Sequence, residues 1–184
     1  GSPEKVSDIY NQLLTKSTKI DDVQQVNIMN NNKMLIRSGS KEAEIFDVII
    51  KNANKKKASK LFISGIDNIN FHVKVKINKN IDNLVLGVRI VDKYGFTIWG
   101  INSEKIKKIE FPKKGEVYEF NFKIECVLSQ GLYSFSVAIH DDKSHINKNY
   151  DWIDNVIFFR VQKNPNNEYI GIVGLKNVLT IKKK

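Results

Sequence analysis

The densest group of side chains able to do chemistry is His140, Asp141, Asp142 and His145. Imidazole and carboxylate at that spacing are donors a divalent cation accepts. No helix and no second ligand pair fixes their geometry, so the group reads as a solvated loop between two strands, with a metal near it left open. Cys126 lies between Ile124 and Leu128 in an apolar run and reads as a buried structural thiol, not a nucleophile. A single cysteine forms no internal disulfide, which makes a reducing cytosol the easier home. The chain has no G-x-x-x-x-G-K-[ST], no G-x-G-x-x-G after a strand and no G-x-S-x-G. Nucleotide hydrolysis, dinucleotide binding and the serine-hydrolase elbow are therefore not expected of this chain, and no cofactor is expected. A glycosidase needs two carboxylates facing each other across a bond, and linear spacing identifies no such pair.

Charge invites a different reading. The 184 residues carry a formal net charge of +10, and such a field concentrates polyanions. Lysine supplies nearly all of it, with 27 lysines against three arginines. A phosphate-reading surface draws more on the planar fork of arginine, and no nucleic-acid fingerprint is present, so nucleic acid is not an expected partner. At 41% hydrophobic residues the chain can bury one ordinary core. No apolar run approaches the roughly 18 residues of a membrane-spanning helix, and the first residues show neither a charged n-region nor an apolar h-region. Gly1 and Ser2 read as a cleavage scar, with Pro3 onward cut from something longer.

The elements that must position these side chains follow from periodicity. Val6, Ile9, Tyr10, Leu13 and Leu14 predict a helix over 3–16, and the polar stretch to Lys33 predicts a linker. The period then changes to two. Ile69, Phe71, Val73, Val75 and Ile77 alternate with polar residues, as do Tyr118 to Ile124 and Tyr133 to Ile139. Further strands are predicted at 43–51, 84–92, 96–101, 153–161 and 170–181. Short turns such as Asp92-Lys93-Tyr94-Gly95 and Asn164-Pro165-Asn166-Asn167 separate them. The expected organisation is helix and linker over 1–33, then an all-β, immunoglobulin-like or jelly-roll antiparallel sandwich over 34–184.

From about Arg37 to Val161 the chain resembles the carbohydrate-binding C-terminal domain on the ATPase subunit of O-antigen polysaccharide ABC exporters, the Wzt-type domain. The residues that carry the resemblance are Gly39 to Ile45, Leu86 to Asp92 with Tyr94-Gly95, and Gly100-Ile101-Asn102-Ser103. They continue through Gly131 to Asp141, Tyr150-Asp151-Trp152 and Phe158 to Val161. Asp8-Ile9-Tyr10 is similar to the segment that joins such a domain to its ATPase. The resemblance implies a non-catalytic β-sandwich that binds a completed glycan, often at its non-reducing end, and so licenses export. It implies as partners O-antigen polysaccharide, a second copy of the chain, and the transporter membrane subunit reached through the ATPase domain. It places the domain in the cytoplasm at the inner face of the bacterial inner membrane. Family members can dimerise by exchanging a C-terminal strand; here 170–181 suits either that exchange or a strand folded back on its own sheet.

In an immunoglobulin-like fold, 84–92, 96–101, 132–140 and 153–161 share one sheet, and parity separates its faces. The core set is Leu84, Leu86, Val88, Ile90, Phe96, Ile98, Tyr133, Phe135, Val137, Ile139, Ile157, Phe159 and Val161. The outward set is Gly87, Arg89, Val91, Thr97, Trp99, Ser134, Ser136, Ala138, His140, Phe158 and Arg160, and it contains no lysine. Small central residues admit an extended ligand, aromatic faces pack on a sugar ring, and Arg, Ser and His donate to its oxygens. Arg89, Trp99, Ser134, Ser136, His140, Phe158 and Arg160 are therefore the expected carbohydrate contacts. The competing expectation is that a helix, a loop or a second protomer covers this face, and that the domain is a structural dimerisation module that binds no sugar.

Overall fold

The computed structural model describes residues 28–30, 33–35, 37–53, 59–141, 148–166 and 168–183. The predicted helix at 3–16 and two of the four residues in the His140–His145 cluster, Asp142 and His145, lie outside them. Two short strands, β1 (Ile28–Asn30) and β2 (Lys33–Leu35), form an antiparallel pair. The rest is a sandwich. Strands β4 (Ala43–Asn52), β6 (Asn68–Ile77) and β9 (Val117–Glu125) make one antiparallel sheet in the order β4-β6-β9. The facing sheet runs β3 (Arg37–Ser38), β11 (Asn149–Gln162), β10 (Gly131–His140), β7 (Val85–Asp92), β8 (Thr97–Asn102). Strand β5 (Leu61–Ile63) adds to β11 in parallel. The four stretches expected to share a sheet do share one.

Alternation produces the core. In β6 the residues Ile69, Phe71, Val73, Val75 and Ile77 are fully buried, while His72 and Lys74 face outward. Phe71 stacks on Phe135 of the facing sheet with ring centroids 4.0 Å apart, and Phe135 stacks on Phe159 at 5.2 Å. Phe62 closes the same cluster edge-on to Phe159. The outer face of the three-stranded sheet is the lysine-bearing one: Lys76 and Lys123 are exposed, and Lys74 lies 3.7 Å from Asp47.

A buried ion group ties the sheets at one end. Asp151 has no solvent exposure and accepts from Arg37 Nε (3.0 Å) and Nη2 (2.7 Å), from Lys41 Nζ, and from the Ile45 backbone N–H of the other sheet (2.8 Å). The hydrogen bond that Arg37 donates to Asp151 holds its guanidinium above the ordinary range, against the cost of burial.

Three expectations need correction. Among the described residues, 170–181 form no strand; their one β-bridge is Leu128↔Val173, outside the sheets, and Ile170, Leu175, Val178 and Ile181 stand in water. Phe96 is not core but exposed, because it belongs to the β7–β8 turn, where its N–H and C=O both bond to Asp92. Trp99 does not point outward. The β7–β8 ladder pairs Val91 with Thr97 but Ile90 with Trp99, so Ile98 is an extra residue and parity inverts beyond it. Trp99 then shares the side of Ile90 and packs half-buried against the core.

Candidate functional site

The inverted parity of β8 decides what the outer face of the six-stranded sheet offers. Past the bulge, Gly100 lies opposite Arg89 and Asn102 opposite Gly87. On the other flank Ser136 pairs with Arg89 and Ala138 with Gly87, and Ala138 pairs in turn with Trp152 of β11. Side chains opposite one another in a ladder share a face. Two rows therefore cross the sheet: Asn102, Gly87, Ala138 and Trp152, then Gly100, Arg89 and Ser136.

These rows enclose a groove of about 550 Å³ with a floor of Gly87, Gly100, Ser136 and Ala138. Trp152 and Arg89 stand on one side, with Asn102 and Lys105 on the other. A Cβ at Gly100 would lie 3.1 Å from the Val88 backbone carbonyl, and one at Gly87 2.9 Å from Asn102 Oδ1, the tip of a side chain that can swing aside. The Arg89 guanidinium lies 5.3 Å from the Trp152 ring centroid and donates through Nη2 to Asp154 Oδ1 at 2.6 Å. The aromatic face and the cation thus fix one another before any ligand arrives. On the opposite wall the turn Ser103–Lys105 is anchored by Ser103 Oγ, which accepts from Leu86 N–H at 3.0 Å.

A second irregularity carries Asp154 to Arg89. Between the pairs Phe135↔Ile157 and Val137↔Ile153, strand β11 spends Asp154, Asn155 and Val156 where β10 spends Ser136 alone. Asn155 takes a left-handed φ of 51°, donates its N–H to Ser136 Oγ (3.1 Å) and accepts from Ser134 Oγ on Oδ1 (2.6 Å).

Of the seven expected contacts, Arg89 and Ser136 line the groove. Ser134 is one row away, buried and engaged by Asn155. His140 is buried at the Gly87 end, its Nε2 3.8 Å from where a Gly87 Cβ would stand, and its Nδ1 donates to the Asp141 carbonyl at 2.8 Å. Phe158, opposite Ser134, and Arg160, opposite Leu132, lie farther along the same face, beyond the groove. Trp99 is on the other side of the sheet. Residues the sequence reading left out are Trp152, Asn102, Gly100, Lys105 and Asp154. Trp152 had a signal: the outward parity of Phe158 and Arg160, carried back past Ile153, falls on it. Among the described residues no group of three or more His, Cys, Asp or Glu is placed to hold a metal.

A family described as the Wzt C-terminal domain matches residues 35–175. A crystal structure of the C-terminal domain of Wzt superposes with a TM-score of 0.70 at 24% identity, covering 79% of this chain and 87% of that one. A beta-glucuronidase of Bacteroides uniformis (TM-score 0.43, 14% identity) covers 63% of this chain but 14% of its own. A Niemann-Pick type C2 protein of the Japanese carpenter ant (TM-score 0.45, 14% identity) covers 68% and 96%. No curated protein matches the sequence.

Proposed function

The chain belongs to the Wzt C-terminal domain family, and from that premise we propose that it is the non-catalytic glycan-recognition module of an O-antigen ABC exporter. The groove over Gly87 and Gly100 is its saccharide site. The observation that carries this reading is the pairing of a glycine and alanine floor with a prepositioned Trp152–Arg89 wall. A pyranose presents an apolar face that packs on an indole and hydroxyls that accept from Arg89 and Lys105 or exchange hydrogen bonds with Asn102 and Ser136. The volume falls within the few hundred to roughly 1,000 Å³ usual for small-ligand clefts. Phe158 and Arg160 extend the same face and would meet a longer stretch of chain; His140 and Ser134 support the floor.

The domain acts as a licence for export: it binds the completed polysaccharide, at its non-reducing end, at the cytoplasmic face of the inner membrane, and passes the signal through an ATPase domain to the membrane subunit. It works as a homodimer.

Titration of the protein with the polysaccharide of its host strain, read by isothermal calorimetry, tests the site. Trp152→Ala and Arg89→Ala are each expected to weaken binding on the order of ten- to a hundredfold, the range of a central anchor residue. Trp99→Phe should bind as wild type does. Undiminished binding by both groove variants would remove the site, and a stable dimer with no affinity for any glycan of the strain would favour a purely structural module.

A further inference from the structure

We propose that the loop 105–114, beside the groove, is a contact surface for an anionic lipid bilayer. Ile106 and Phe111 are 70% and 65% exposed there. The loop is nonetheless firmly held. The N–H groups of Ile106 and Lys107 donate to the Ser103 carbonyl, Leu84 N–H to Ile109, Phe111 N–H to Asp82 at 2.7 Å, and Ile81 N–H to Pro112. Such a backbone cannot fold its apolar tips inward without breaking this ladder.

Phe111 also carries a φ of 54° immediately before Pro112. A bulky residue pays a steric cost in that region and persists there only where the surroundings enforce it. Here they enforce a solvent-facing aromatic ring. Around the two apolar tips Lys107, Lys108, Lys113 and Lys114 are all exposed, against one exposed acid in the loop, Glu110. Apolar tips rimmed by ammonium groups match a bilayer carrying anionic lipid: the ring and the isoleucine enter the acyl boundary while the lysines reach the phosphates. A nucleic acid would use the lysines and leave Ile106 and Phe111 in water. Among the described residues no helix is long and apolar enough to cross a membrane. Lys105 both begins this loop and lines the groove, so docking would hold the groove mouth beside the lipid surface.

The proposal does not rest on sugar binding, and its test contains no glycan. The protein is co-sedimented with large unilamellar vesicles of phosphatidylcholine, alone or with about a third phosphatidylglycerol. Binding is expected to the mixed vesicles, weakly or not at all to the neutral ones, and to fall with added salt. Phe111→Ser and Ile106→Ser should each lower the bound fraction several-fold, and Lys107→Glu with Lys108→Glu should abolish it, with melting temperatures unchanged. Equal binding to both vesicle types, or none to either, would overturn the proposal. So would wild-type vesicle binding by the Phe111→Ser, Ile106→Ser double variant, because attraction would then be diffuse charge alone.

Discussion

Asp151 shows how much one side chain can decide. It is fully buried, yet it gathers Arg37, Lys41 and the backbone of Ile45, and so joins the β3 segment, β11 and the opposite sheet. Removing one partner of a buried ion pair leaves the other charge desolvated, which typically costs about 3–5 kcal/mol. Asp151→Ala is expected to cost the lower end of that range, since Arg37 and Lys41 keep some access to water. Chemical denaturation measures it, and combining Asp151→Leu with Arg37→Leu should recover part of the loss. Cys126 makes the opposite point. Burial pushes its thiol from 9.0 up to about 11, against a bond from the Leu128 backbone. The folded state therefore favours the protonated form. Stability from this group is complete below about pH 9 and declines as pH rises through 11. Cys126→Ala should flatten the decline in that window, and the native thiol should resist iodoacetamide at pH 8 until denaturant is added.

Elements built on strict alternation were legible, and elements that break it were not. Ile69 to Ile77 reads as a strand from sequence because every second residue is apolar, and β6 is that strand. Nothing around Ile98 marks an extra residue, with neither Gly nor Pro beside it, and the bulge there moved Trp99 to the core and Gly100 and Asn102 to the groove. Three-residue β5 is too short to show a period, and it forms because β11 offers an edge beside Phe62. The Asn155 bulge is equally silent in sequence yet sets Asp154 against Arg89. Asparagine tolerates the left-handed region better than a β-branched residue does. Asn155→Val is expected to cost about 2 kcal/mol or more through strain and the lost Ser134 bond. Asn155→Gly keeps the backbone and loses only that bond, about 1 kcal/mol. Thermal melts rank the two, and weaker glycan binding by Asn155→Val than by Asn155→Gly would tie the bulge to the groove.

At the scale of the whole molecule, the described residues leave one edge of the three-stranded sheet open. Among the described residues strand β9 pairs only with β6, and its inward row Tyr118, Phe120, Phe122 and Ile124 is half-buried where the neighbouring β6 row is fully buried. An open edge beside a half-covered aromatic row is a template for another strand. The apolar segment expected as a strand at 170–181 finds no edge among the described residues. Up to Gly174 that segment is pinned: Tyr169 donates to the Val127 carbonyl, and the N–H groups of Ser129 and Gly174 bond to Ile172 and Val127. Beyond it Val178 and Ile181 are 95% and 83% exposed, and Lys176 pairs with Glu125 at the end of β9. Strand addition between two copies would satisfy the edge, cover the aromatic row and remove the exposed side chains together. A truncation after Gly174, which keeps every anchor of the hinge, is expected to convert a dimer to a monomer in sedimentation equilibrium. The full chain should melt at temperatures that rise with protein concentration, as obligate association requires, and the truncated one should not. Dimers that survive the truncation would place the interface elsewhere and leave β9 as a bare edge.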